Sequence, residues 1–236
     1  MLINGFDVAN LNAKQFAVEF SHAVIINDSA WDKGAAAPYF APTYTGFRSF
    51  TVVLYVKGET RQEIIQNCSD IVAKLLGPVD LVLDGFSHYF RATLSGTPTR
   101  DERAQRQFHR LTLPFVGYEF GDEVEVEGTT ELTIDNPGNM TSPCRIELTP
   151  TISTATLQLT GICRDPFTGA DLPVTVNNLT TGKVVVIDGV TGLVTQDGAI
   201  KEVDAWELPS MLPGRNIITC DNQVVNVKVT TTPLYI

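Results

Sequence analysis

Three histidines, four cysteines and 27 acidic residues are what this chain has available for chemistry. His22, His88 and His109 all fall in strand-like runs. A metal centre of two imidazoles and a carboxylate needs those groups to converge on one point. None of the three stands in the spacing of a local motif, so they are read as satisfied or exposed strand histidines, and no metal or other cofactor is expected. Cys68, Cys144, Cys163 and Cys220 never form the Cys-x-x-Cys pair that thiolate ligation favours. Cys68 sits on a probable helix and the others in strand-like stretches. Buried free thiols are the preferred assignment, with a Cys144–Cys163 bridge as the alternative.

Motifs for covalent or phosphate chemistry are missing. There is no Gly-x-Ser-x-Gly elbow, and no Gly-rich fingerprint opens a helix. Paired carboxylates for glycoside hydrolysis can always be found among so many acids and mean nothing without geometry. The chain is therefore read as not an enzyme. Asp188, in Val186-Ile187-Asp188-Gly189-Val190-Thr191-Gly192, departs from the alternating acids of an EF-hand loop and reads as a turn former. Trp206, in Asp204-Ala205-Trp206-Glu207-Leu208-Pro209, offers a ring for stacking on a sugar or for filling a core, and the core is preferred.

The elements that would position these residues are nearly all strands. Leu2-Ile3-Asn4-Gly5-Phe6 turns at Gly5, and Phe16 to Phe20 and Ala23 to Ile26 read as extended. Phe50 to Val56 is a convincing strand, followed by the one clear helix. Thr60 caps that helix, Glu63 completes a capping box, and Gly77-Pro78 stops it after about Leu76. Ile64, Ile65, Cys68, Ile71, Val72, Leu75 and Leu76 form one apolar stripe to lay on a sheet. Asp84-Gly85 then signals a hairpin between Val79–Leu83 and His88–Leu94. Phe108 to Phe115 follows. The acidic stretch Gly121–Gly128 is either an alternating edge strand or a linker.

From Thr129 onward only short strands and turns appear, at the spacing and period-two alternation of a sandwich or jelly-roll. The expected fold is mainly β, with an N-terminal β-rich domain over 1–128 carrying a helix at about 60–76. A C-terminal β-sandwich follows over 129–236.

Two segments do not fit a compact domain. Residues 27–47 interleave turn residues and prolines with Trp31, Tyr39, Phe40, Tyr44 and Phe47, which predicts an irregular segment with aromatic anchors. Ser95 to Arg106 is polar, and its Arg100-Asp101-Glu102-Arg103 centre suits a solvated hairpin tip or exposed arm. Trp31, Tyr39, Phe40, Tyr44, Arg100, Arg103 and Arg106 are thus candidate contacts with other subunits. The alternative is that Trp31, Phe40 and Phe47 cap the domain's own core.

Composition bounds the partners. Net charge is −10, and counting gives 11 basic against 16 acidic residues in 1–128 and 6 against 11 in 129–236. Each half carries −5, which argues against nucleic-acid binding in either. No apolar run approaches the roughly 18 to 20 residues of a membrane span, so no membrane insertion is expected. The first residues have neither the basic nor the apolar region of a secretory signal.

An ordered set of turns and strands carries a resemblance. Asn4-Gly5-Phe6, the helix ending near Gly77-Pro78, the Leu81 to Phe90 hairpin and the Phe108 to Val116 strand come first. Asn136-Pro137-Gly138-Asn139 with Ser142-Pro143-Cys144-Arg145-Ile146-Glu147 follows, then Leu159-Thr160-Gly161 and Val186-Ile187-Asp188. Pro209 and Leu212-Pro213-Gly214-Arg215-Asn216 close it. The set resembles siphophage distal tail (Dit) proteins across nearly the whole chain. The resemblance implies an N-terminal domain that assembles as a hexameric ring and a galectin-like sandwich on the outside. It also implies a place in the virion, at the tip of a long non-contractile tail. There the ring would join the tail tube and tape measure to tail-associated or receptor-binding proteins, after assembly in the host cytoplasm, where thiols stay reduced. The family's second domain often carries carbohydrate-binding insertions, and 129–236 shows no obvious one. The alternative function is a carbohydrate-binding β-sandwich that contacts the host cell surface.

Overall fold

The computed structural model describes residues 1–236 apart from 27, 28, 31, 32, 35, 41–43, 106, 166, 167 and 206, together with the side chains of 30, 39, 40, 44 and 103–105. The chain is mainly β, as expected, and divides into two units: Met1–Phe120 with Ile236, and Gly121–Tyr235.

The first unit is built on one antiparallel sheet. Its strands run in the order Phe6–Asp7, Leu2–Ile3, Val79–Val82, Tyr89–Leu94, Phe108–Phe120, Arg48–Lys57, Ala13–Phe20. Alternation along Phe108–Phe120 buries His109, Leu111, Leu113 and Phe115, and Val52, Leu54 and Val56 line up beside them. The helix, Arg61–Ala73, lays Ile64, Cys68 and Ile71 on that face, with Leu75 from the turn that follows.

Thr60 Oγ1 accepts from the Glu63 N–H at 3.2 Å, and the Glu63 carboxylate reaches back to the Glu59 N–H at 2.8 Å. The helix stops at Ala73, before the expected Leu76. The Lys74 and Leu75 N–H groups tighten onto Ile71 and Val72, and Leu76 falls outside the stripe, 79% exposed. The Asp84-Gly85 turn is present but sits in a wider loop. Tyr89 pairs with Val82, so residues 83–88 form the connection, with Gly85 at φ +87°.

The second unit is a two-sheet sandwich. One sheet runs Val124–Gly128, Val225–Thr231, Ser142–Pro150, Val185–Asp188, Val194–Gln196, Ala199–Ile200. The other runs Glu131–Asn136, Gly214–Cys220, Thr154–Arg164, Asp171–Leu179, Val203–Asp204. Their inner faces form one core, in which Ile146, Leu148, Val227 and Val229 meet Leu132, Leu157, Leu159 and Val176. The acidic stretch resolves as an edge strand. Val124–Gly128 pairs residue by residue with Val227–Thr231, pointing Val124 and Val126 at the core, while Lys228 Nζ meets Glu125 at 2.7 Å. That pairing draws the division between units back to Phe120/Gly121, ahead of the boundary at 128 expected from the sequence.

The two turn motifs singled out in the sequence lie side by side, because Asn136 pairs with Gly214. Asn136 is buried. Its Nδ2 donates to Met140 O, Ser142 Oγ and Met211 O, and its Oδ1 accepts from the Gly138 N–H. Asn216, also buried, closes the second turn by donating to Leu212 O and Gly214 O and accepting from the Leu212 N–H. An amide offers donor and acceptor together, which explains asparagine at both places.

Candidate assembly surfaces

The aromatic segment is a ribbon where it is described. The pairing of Ala13–Phe20 with Arg48–Lys57 continues outward: the Ser21 N–H donates to Ser49 O, and the Gly46 N–H to Val24 O. Ile25 then pairs with Thr45 and Ile26 with Tyr44, and beyond them Ser29 pairs with Phe40 and Ala30 with Tyr39. The irregular segment expected over 27–47 is thus, in its described parts, an extension of the hairpin that starts in the sheet. Val24, Ile25, Ile26 and Phe47 are all more than half exposed on it. Phe47 stands outside the unit's core and stacks on Tyr118, with ring centroids 6.4 Å apart. Trp31 lies outside the described residues, as do the side chains of Tyr39, Phe40 and Tyr44.

The sheet face opposite the helix adds to this surface. Phe16, Tyr55 and Phe108 form a chain of ring contacts, with centroids 4.5 and 5.6 Å apart. Tyr118, Phe120 and Tyr89 form a second, and the Arg91 guanidinium sits over the Phe120 ring. Asp80 fixes Arg91 with two hydrogen bonds of 2.8 Å, and these hold the Asp80 carboxyl below its usual range.

The sequence did not single out Phe16. Strict alternation would put it with Val18 and Phe20 on the core face. A bulge between Gln15 and Ala17 makes it an extra residue and turns it onto the open face, 58% exposed.

The polar stretch is a strand, Thr99–Gln105, folded back on Phe108–Thr112. Arg100 is occupied there. Its Nη2 donates to Glu102 at 2.7 Å, and Glu102 is also bridged by Arg61 from the first turn of the helix. Arg103 lies on the strand with its side chain outside the described set, and Arg106 lies outside it altogether.

The remaining candidates stay apart. His22 is exposed, His88 lies 2.7 Å from Glu119, and His109 is buried. Among the described residues no three His, Cys, Asp or Glu side chains gather around a point that could hold a metal. All four cysteines are buried and free, and burial pushes the Cys163 thiol up to about 11 and the Cys144 thiol higher still. Burial opposes ionisation of Asp188, yet hydrogen bonds from Val190 and Thr191 hold its carboxyl below the usual range, as a turn former requires. Trp206 lies outside the described residues. Ala205 and Glu207 line a cleft of about 410 Å³, walled also by Ile187, Leu193, Val194, Val203 and Leu208.

No protein-family model and no curated protein matches this sequence. Among solved structures, the crystal structure of SPP1 Dit (gp 19.1), described as a paradigm of the hub adsorption apparatus in phages infecting Gram-positive bacteria, superposes with a TM-score of 0.78. The match has 13% identity and covers 100% of this chain and 98% of that one. The phage P2 baseplate in its Ca-activated conformation gives a TM-score of 0.49 at 10% identity, over 97% and 92% of the two chains. The resemblance drawn from the ordered turns and strands is therefore matched in three dimensions: this chain has the Dit fold from end to end.

Proposed function

We propose that a chain with this fold serves as a structural hub at the tip of a phage tail, closing into a hexameric ring. The ring joins the tail tube and tape measure to tail-associated or receptor-binding proteins, in a virion assembled in the host cytoplasm. The observation that carries this reading is the match to SPP1 Dit, which covers both units, 100% of this chain and 98% of that one. Physical features support it. A closed ring is made by heterologous contacts between unlike faces of neighbouring copies. The extended hairpin, with its exposed Val24, Ile25, Ile26 and Phe47, and the aromatic sheet face around Phe16 are two such unlike faces. Tyr39, Phe40 and Tyr44 lie on the strands of that hairpin and Arg100 and Arg103 on the polar strand, while Trp31 and Arg106 are proposed as contacts from the sequence alone. The role is architectural and non-catalytic.

The test is the mass of the purified protein by light scattering after size exclusion, over a concentration series, with negative-stain images of the main peak. A ring of roughly 155 kDa, six times the 25.8 kDa chain, is expected. Excising residues 31–47 is expected to abolish it. Intact rings without that segment would remove the hairpin from the contact, and a monomer at every concentration would remove self-assembly from the reading.

A further inference from the structure

Three cations stand among the rings of the open sheet face. Residues paired directly across neighbouring strands share a face. Lys14 pairs with Tyr55, and Tyr55 with Arg110, so one row across three strands reads Lys14, Tyr55, Arg110. Lys57, paired with Phe108, belongs to the next row. Their chain neighbours Ala13, Val56 and Leu111 are buried in the core under the helix, which turns the three cations outward. Phe16 and Phe108 both lie against the Tyr55 ring. Lys14, Lys57 and Arg110 are exposed, and among the described residues none of them has an ion pair. Two acids share the face: Asp101 opposite Arg110, and Glu19 farther along, opposite Thr51.

Such a patch stands out on a chain with 27 acidic residues against 17 basic ones. Aromatic rings and arginine are what the centres of protein interfaces favour. Two copies of this face cannot meet about a two-fold axis without setting cation against cation. An acidic face matches it instead, and the net charge of −10 leaves the rest of the chain's surface acidic. A nucleic-acid strand would meet the same three cations, but with that negative charge all around them.

We propose, resting on the hexameric ring above, that this face receives a carboxylate-bearing face of the next copy and that the charge match makes the contact head-to-tail. The rings supply the apolar area. Lys14, Lys57 and Arg110 choose which face of the neighbour docks, and they reject a second copy of themselves. Head-to-tail contacts between unlike faces are the kind that close a ring.

Light scattering of the full-length protein over a concentration series, in sodium chloride from about 0.1 to 1 M, tests the contact. That range shortens the reach of an exposed charge from about 10 to 3 Å. The concentration at half-assembly is expected to rise with salt. Lys57→Gln and Arg110→Gln are each expected to raise it about 1.5- to 5-fold in the lower salt, and hardly at all in the higher. Lys183→Gln, an equal change of charge at an exposed lysine of the second unit, leaves it level. All the substituted side chains are exposed, circular dichroism checks that each variant is folded, and the salt series on the parent needs no variant. Rings that hold equally across the salt range and in Lys14→Gln/Lys57→Gln/Arg110→Gln overturn the proposal and leave the ring standing. A species of two copies as the largest in low salt overturns the head-to-tail contact. A parent that is monomeric at every concentration and salt removes this contact together with the ring.

Discussion

The two units solve the same problem, a sheet with one apolar face, in opposite ways. The second unit sets two sheets against each other, so each inner face is covered by the other. The first covers one face of a single sheet with a thirteen-residue helix. Its other face keeps rings in contact in two groups, with Phe16 exposed and Tyr55, Phe108, Tyr118 and Phe120 partly buried. Large contiguous apolar surface on a soluble protein marks an interaction site more often than it marks tolerance. The sandwich is thus finished as a fold by itself, whereas the helix-backed sheet has a face and a hairpin still to be covered.

The largest effects come from the cores. Phe90→Ala removes a ring that touches Phe20, Phe50 and Phe86, and is expected to cost about 3–5 kcal/mol in the first unit. Leu159→Ala, at the centre of the sandwich, is expected to cost about 2–5 kcal/mol in the second. Hydrogen exchange resolved by segment reads the two units separately. If either substitution loosens both units equally, they are one cooperative body and the contrast between them fails.

Much of this architecture is legible in the sequence, and the reasons are local. Thr60 with Glu63 marks a helix start because capping needs only nearby atoms. The alternation of Leu132 and Ile134, or of Val225, Val227 and Val229, marks a strand because side chains alternate on a pleat. What escaped is set by register. The placement of Phe16 depends on one bulge, and Val124–Gly128 joins the second unit because of a strand a hundred residues away. The hairpin through 25–45 is hidden by its prolines and turn residues, although its described ends pair in register. The candidate surface was half visible. Aromatics among turn residues flagged the hairpin, but nothing in the sequence distinguished Phe16 from Phe20.

Asn136 sharpens the view of the sandwich as self-sufficient. Replacing it with Ala strands the Gly138 N–H and takes a donor from Met211 O, whereas Met140 O keeps the Ser142 hydroxyl. Each buried group left unpaired costs about 1–3 kcal/mol. Asn136→Ala is therefore expected to lower the second unit's stability by that amount in urea titration. Exchange over the Arg48–Lys57 strand should stay unchanged. Asn136→Asp, which keeps an acceptor for Gly138 but turns a buried carboxylate oxygen on the Met140 and Met211 carbonyls, should cost at least as much. A neutral Asn136→Ala would mean that the turn holds through Asn216 alone.

The smallest effect on stability should carry the largest effect on assembly. Phe16 meets only Tyr55 among the described rings and is 58% exposed, so Phe16→Gln forfeits one aromatic pair, about 0.5–1.5 kcal/mol. Phe20, four residues on, packs into the core against Phe50, Phe86 and Phe90, and Phe20→Gln would cost several times more. If the open face is an interface, Phe16→Gln gives a folded chain that no longer reaches the roughly 155 kDa mass at concentrations where the parent does. Phe16 would then behave as a residue selected by a neighbour, since its own fold hardly uses it. A Phe16→Gln protein that forms rings as readily as the parent would show that face to be tolerated exposure, and the burden of assembly would pass to the hairpin.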